Sequence, residues 1–253
     1  MKQQSFELDH NGLTIRGTQY LPNQAENGNR VPTILFCHGF TGNRFESGFL
    51  FVRLARFLTQ HGYASITFDF LHSGESDGAF EKMLPSGEIA DARRMTEYLK
   101  GLTFVDLSRV ALLGFSLGGF VSAATVSHTN LYKSLILLAP ANSKKYRHHA
   151  QTNGSTSSTT HGPFKLHPEY YNDITGIDTL SLITQNPRPT LIIQGSNDEA
   201  VTPAASGEYR EALTAAGIPN TYTLIQDADH GFNHPDWRTQ LHDHVLSHLQ
   251  QTL

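Results

Sequence analysis

The chain has 253 residues, 38% of them hydrophobic and 17% charged, with a net charge of −4. That length suits one large α/β domain whose core needs neither disulfide nor metal, and the composition excludes a disordered chain. The charge makes no case for nucleic acid or an anionic membrane, and no apolar run approaches the roughly 20 residues of a spanning helix. Cys37 is the only cysteine, so no intramolecular disulfide can form. With an N-terminal stretch lacking the apolar core of a signal peptide, this fits a reducing, cytoplasmic setting.

Residues 5–21 alternate in polarity around Asn11-Gly12, a dipeptide suited to a tight hairpin turn, and predict two antiparallel strands. A polar loop follows over 23–30. Buried strands are then expected at Thr33–Cys37, Ala64–Phe68, Val110–Gly114, Ser134–Ala139, Thr190–Gln194 and Tyr222–Ile225. Helical stretches alternate with them at about 47–60, 86–101, 116–128, 203–216 and 236–250. In the second of these, Asp91, Arg94 and Glu97 fall on a polar face, while Ile89, Met95, Leu99 and Leu102 can face inward. Short apolar strands alternating with amphipathic helices imply a mostly parallel sheet covered on both faces.

One segment breaks the rhythm. From 141 to 187 the chain is polar, and Asn153 to His161 is almost entirely Ser, Thr, Gly and Asn. So long a stretch without clear structure is uncommon inside a compact domain unless functional or mobile. It is expected to be a cap inserted into a core of 1–140 and 188–253. Its aromatic residues Tyr146, Phe164, Tyr170 and Tyr171, with Phe40, could line an acyl pocket or simply anchor the cap.

Residues 110–119 read Val-Ala-Leu-Leu-Gly-Phe-Ser-Leu-Gly-Gly. A bare Gly-x-Ser-x-Gly is a weak signal. Here an apolar strand ends at Gly114 and a helix of small and apolar residues starts just after Ser116, the strand–turn–helix context of a nucleophile elbow. Acyl transfer needs two donors for an oxyanion. The N–H of Leu117 is one candidate; the N–H of Phe40, after the strand ending at His38-Gly39, is the other. His38 reads as a scaffold residue of that loop.

With 14 histidines, residue type alone selects no base. Chain order does, because the elbow is followed by an acid and then a histidine. Asp198 follows one predicted strand, and His230 follows the last. Glu199 neighbours Asp198, and Asp227 and Asp229 neighbour His230; an adjacent residue rarely points at the histidine's own Nδ1, which favours Asp198. Asp229 is expected to support the loop. His234, His242, His244 and His248 are expected to face solvent.

Over essentially its whole length the chain resembles the α/β-hydrolase superfamily, and within it the bacterial cinnamoyl (feruloyl) esterases. The stretches that carry the likeness are His38-Gly39-Phe40-Thr41-Gly42-Asn43, the loop Phe68-Asp69-Phe70-Leu71-His72-Ser73-Gly74-Glu75-Ser76-Asp77-Gly78, and an insertion of cap length. The chain departs from those esterases in having Phe115 where they usually carry His, and Leu71-His72-Ser73 in place of Gly-x-Gly. The resemblance implies an α/β-hydrolase fold, a triad of Ser116, His230 and Asp198, and an oxyanion hole from the N–H groups of Phe40 and Leu117. It further implies hydrolysis of carboxylic esters, with hydroxycinnamate esters as one substrate class. Peptidase, thioesterase and short-acyl lipase activities stay open, as does a non-catalytic ligand-binding member of the fold. No cofactor or metal is expected. His148-His149 reads as solvated. The expected partner is a small-molecule ester, not nucleic acid or membrane, and a homodimer is left open.

Overall fold

The structure, a computed structural model, describes residues 1–144 and 160–253. Tyr146, His148, His149 and most of the Ser/Thr-rich run lie outside the described residues.

The hairpin forms around Asn11 and Gly12, both at positive φ, and joins β1 (Lys2–His10) to β2 (Leu13–Leu21). β2 then pairs antiparallel with β4 (Ala64–Phe68), so the hairpin becomes one edge of the main sheet. The remaining strands are parallel: β3 (Val31–Cys37), β5 (Val105–Phe115), β6 (Tyr132–Leu138), β9 (Thr190–Gly195) and β10 (Asn220–Ile225). The eight-stranded order is β1-β2-β4-β3-β5-β6-β9-β10. This is the α/β-hydrolase fold.

Helices follow where the spacing predicts them: α2 (Leu50–Gln60), α3 (Pro85–Lys100), α4 (Leu117–Thr125), α7 (Pro203–Ala215) and α8 (Pro235–Thr252). They divide the core in two. α3 and α4 cover one face of the sheet, burying Met95, Leu99 and Phe120 against Leu35, Leu112 and Leu137. α2 and α8 cover the other, burying Phe51, Leu54 and Leu241 against Phe36, Leu113 and Ile193. Among the described residues no helix is long and apolar enough to cross a membrane.

Several local expectations need correction. The polar stretch 23–30 holds a short helix, α1 (Asn23–Glu26). The helix expected over 47–60 begins as a tight 3-10 turn at Ser47–Phe49, because Phe49 takes a left-handed conformation (φ 59°, ψ 34°) before α2 starts. Asp91 is buried, since the β1–β2 tip and the loop after β4 fold over that side of α3. Its carboxylate accepts the Leu71 N–H at 2.8 Å and lies 3.5 Å from His10. His248 is also buried, with its Nε2 2.8 Å from the Ser134 hydroxyl on β6, and His242 is half-buried, its ring stacked on Phe57 at 5.0 Å between centroids. The strand expected to be buried at Tyr222–Ile225 is instead the edge strand β10, of which only Ile225 is buried.

Between β6 and β9 the described residues form a two-stranded ribbon, β7 (Thr160–His161) and β8 (Phe164–Lys165), then α5 (Tyr170–Gly176) and α6 (Thr179–Leu182). Both ends of this segment are tied to α7. The buried Tyr209 hydroxyl donates to the Ala141 carbonyl or the Thr179 hydroxyl, each at 2.8 Å, and Asn142 donates to Ala205 and Glu208.

Candidate active site

In open α/β sheets the crevice lies beyond the carboxyl ends of the parallel strands. Here the ends of β3, β5, β9 and β10 converge there. Ser116 follows β5 with φ 54° and ψ −117°, a conformation that costs a non-glycine residue about 1–3 kcal/mol and persists only when its surroundings impose it. They do so through close packing. A Cβ on Gly114 would stand 2.1 Å from the Gly118 carbonyl oxygen, and one on Gly118 would stand 2.0 Å from that of Cys37. The strand, the turn and α4 can be this close only with glycine at both positions. The Ser116 N–H donates to Leu138 on β6, and the Ser116 carbonyl accepts the Ala141 N–H, so the turn is anchored on both sides.

Asp198 follows β9 and His230 follows β10. The two loops lock together: the Ser196 hydroxyl accepts the Asp227 N–H at 2.7 Å, and the Asn197 N–H donates to Ala228 at 3.0 Å. Asp198 is buried and its carboxylate is saturated. Oδ1 accepts the N–H groups of Ala200 (2.9 Å) and Val201 (2.8 Å); Oδ2 accepts from Gln194 (2.9 Å) and from His230 Nδ1 (2.7 Å). Burial alone would raise this carboxyl, but the His230 bond and charge, with Val201 and Gln194, outweigh it and hold it below its ordinary value. An ionised carboxylate only accepts, so Nδ1 carries the proton and Nε2 presents a lone pair. That Nε2 lies 3.0 Å from the Ser116 hydroxyl. A hydroxyl placed so can pass its proton to the imidazole as it attacks. Phe115, just before the serine, lays its ring 4.9 Å from the imidazole of His230.

The structure thus brings Ser116, His230 and Asp198 together. It leaves Asp227 and Asp229 aside, with Asp229 accepting from the Asn233 N–H and side-chain amide, each at 3.0 Å. Phe40 follows β3, and Leu117 is the first residue of α4. Neither N–H has a backbone or side-chain acceptor among the described residues, as a free oxyanion donor requires. His38 belongs to the scaffold. Its buried Nε2 accepts the Phe70 N–H at 3.1 Å, so Nδ1 carries the proton and donates to the Gly39 carbonyl at 2.9 Å. Burial keeps this ring below its ordinary value, against the pull of Gly39 and Asp69.

One residue of the site has no sequence signal. Glu46 turns its buried carboxyl toward the serine, accepting the Gly39 N–H on Oε1 at 2.5 Å and the Ser47 N–H on Oε2 at 3.2 Å. Burial pushes this carboxyl above its usual range, while those two N–H groups and the charge of His230 pull it back. A glutamate in a polar loop is unremarkable in a sequence; only the backbone fold turns it inward.

A cavity of about 500 Å³ opens over these groups, with Phe40, Glu46, Phe115, Ser116 and His230 in its walls. Phe40 also meets an aromatic cluster: Phe80 (5.7 Å between centroids), Tyr170 (5.4 Å) and His161 (5.0 Å), with Phe164 against Phe80 (4.6 Å). Among the described residues no group of three His, Cys, Asp or Glu side chains could hold a metal ion.

Known proteins share this architecture. The structure of Est1E from Butyrivibrio proteoclasticus with ferulic acid bound superposes with a TM-score of 0.84 at 22% identity, covering 98% of each chain. A puromycin-hydrolysing peptidase of Mycobacterium tuberculosis superposes with a TM-score of 0.79 at 20% identity, covering all of this chain and 39% of that one. In sequence, dipeptidyl peptidase 8 of Mus musculus is 27% identical over 260 residues, which cover 98% of this chain and 28% of that protein. The chain therefore spans little more than a quarter of that relative. The pattern of the prolyl oligopeptidase family matches residues 51–253, a span that includes the elbow, the acid loop and the histidine loop, and the chain belongs to this family of serine hydrolases.

Proposed function

We propose that the chain is a carboxylesterase that works through an acyl-enzyme on Ser116. The observation that carries this reading is the continuous relay Asp198–His230–Ser116, with bonds of 2.7 and 3.0 Å, at the floor of a cavity. Ser116 attacks the ester carbonyl as His230 takes its proton, and the carbonyl oxygen, now an oxyanion, sits between the N–H groups of Phe40 and Leu117. Collapse of the tetrahedral adduct expels the alkoxide, which leaves as the alcohol with the proton from His230. Water repeats the sequence on the acyl-enzyme, releasing the acid and restoring the serine. Asp198 holds the useful tautomer throughout and stabilises the imidazolium.

Residues 141–187 serve as the cap of this site. The aromatic cluster around Phe40 supports a flat or apolar acyl group such as a hydroxycinnamate. The proposed setting is the cytoplasm, which a buried, unpaired Cys37 suits.

A peptidase reading has its own support in the 27% identity to a dipeptidyl peptidase across nearly the whole chain. Rates on methyl ferulate, p-nitrophenyl acetate and aminoacyl p-nitroanilides separate the two. Esters are expected to exceed anilides in kcat/KM by about a hundredfold or more. Anilides turned over faster than both esters would overturn the esterase reading while leaving the acyl-enzyme intact.

A further inference from the structure

The loop from β3 to α2 holds Thr41, Glu46, Gly48 and Phe49 at φ near +59°, and only one of the four is glycine. Glu46 is the extreme case. With φ 58° and ψ 163° it occupies a region that is essentially glycine's own. A side chain kept in such a conformation points to something the side chain does.

What it does is fix the chain that enters a particular peptide unit. The Gly39–Phe40 peptide contributes the Phe40 N–H proposed for the oxyanion hole, and the carbonyl oxygen of that same unit belongs to Gly39. Two donors hold that oxygen from behind, His38 Nδ1–H at 2.9 Å and the Gly42 N–H at 3.0 Å. Glu46 Oε1 accepts the Gly39 N–H at 2.5 Å and so fixes the rotation of the chain entering the unit. The fit is tight: a Cβ on Gly42 would stand 2.7 Å from Glu46 Oε1, and one on Gly39 would stand 3.4 Å from it and 3.2 Å from the Ser116 Cβ. Gly39 lies between the carboxyl and the nucleophile, with no room for a side chain between them.

We infer that Glu46 is a positioning residue, whose carboxyl sets the Gly39–Phe40 peptide so that the Phe40 N–H faces the oxyanion formed on Ser116. The inference rests on the acyl-enzyme reading above and deepens it. It separates two roles that are usually confounded. If Glu46 only stabilised the loop, replacing it with glycine would relieve the backbone and leave turnover intact. If it aims a donor, glycine removes the aim.

The test compares the wild-type chain with Glu46→Gly, Glu46→Gln and Ser116→Ala. The readouts are kcat and KM on p-nitrophenyl acetate, the rate of labelling by a fluorophosphonate, and the thermal midpoint. Glu46→Gly is expected to stay folded and lose about a hundredfold in kcat and in labelling rate, as a misplaced oxyanion donor does. Its KM should stay within about threefold, since the contact matters in the transition state and not in binding. Glu46→Gln keeps an oxygen for the Gly39 N–H and should recover about tenfold of the loss. A folded Glu46→Gly with wild-type kcat, or a Gln variant that recovers nothing, overturns the inference. Should Glu46→Gly fail to fold, Glu46→Asp keeps the charge but draws the carboxylate back from the Gly39 N–H; a loss of kcat at unchanged KM supports the inference, and unchanged kcat overturns it. A wild type that does not label, or a Ser116→Ala that does, overturns the acyl-enzyme reading together with this one. Normal behaviour of both with full labelling of Glu46→Gly overturns the positioning role alone.

Discussion

Asp198 offers both carboxylate oxygens to four donors, only one of which is His230. Asp198→Asn would keep most of these contacts but place an amide group where the imidazole needs an acceptor, so His230 would turn the wrong tautomer toward Ser116. Turnover of an ester is expected to fall by about 10⁴-fold, as when the acid of such a triad is made an amide. Asp229→Asn, by contrast, touches only the Asn233 turn and should leave kcat within about threefold. Equal losses in the two variants would move the acid. At this scale much of the site is legible in the sequence, because strand ends and chain order select Ser116, Asp198 and His230 from many residues of their types. Glu46 is not legible. Its part depends on a φ of 58°, and no residue pattern announces a strained backbone at a glutamate.

The glycines of α4 and α7 show how the same residue type serves opposite purposes in two helices. Gly118→Ala would drive a methyl group into the backbone at the end of β3, 2.0 Å from the Cys37 carbonyl oxygen. Backbone cannot yield as a side-chain tip can, so about 3 kcal/mol of stability should be lost in denaturant unfolding. Gly207 lies inside α7 with nothing within 4 Å of an added Cβ, and Gly207→Ala should raise stability by about 0.5–1 kcal/mol. The reverse order would contradict the packing described for the elbow. Helix α3 supplies a third case. Its own N-cap, Leu84, makes no side-chain cap bond; Asp173 from α5 instead accepts the Ser86 N–H at 2.8 Å and the Ser86 hydroxyl at 2.6 Å. Periodicity finds α3 within a residue of its true ends. It cannot find a cap supplied from a helix 87 residues further along, nor the burial of Asp91, because both arise from tertiary contacts.

At the scale of the whole molecule, buried ionisable groups give stability two opposing pH dependences. Burial pushes His248 down to about 4, against an ordinary 6.5. The unfolded chain therefore takes up a proton that the folded one refuses, so this contribution is complete above pH 6.5 and is lost as pH falls through 4. Asp91 acts in the other direction. Burial pushes it up to about 7 despite the Leu71 N–H, and His10 beside it is itself lowered by burial, leaving it little positive charge to offer where Asp91 titrates. Its contribution is complete below pH 3.8 and is lost as pH rises through 7. Between about pH 4 and 6.5 the two slopes oppose each other, and His242, also pushed down to about 4 by burial, adds to that of His248. Unfolding free energy of His248→Gln should fall between pH 4.5 and 7 relative to wild type, and that of Asp91→Asn should rise, each by on the order of 2 kcal/mol. Parallel profiles for all three proteins would show that neither group is buried as described. The order of strands and helices is legible at this scale because buried parallel strands read as apolar runs. The described part of the segment 141–187 is less so, because its short helices bury only a few side chains, Tyr170, Ile174 and Ile183, and single contacts such as those of Tyr209 and Asp173 tie it to the body.

The central claim is that Ser116 carries the acyl group. Quenching the enzyme in acid during turnover of a slowly deacylated p-nitrophenyl ester and mapping its peptides by mass spectrometry tests that directly. One acyl adduct on Ser116, absent from Ser116→Ala and slow to form in Asp198→Asn, is the predicted result. An adduct on another residue, or turnover by Ser116→Ala at the wild-type rate, would contradict it.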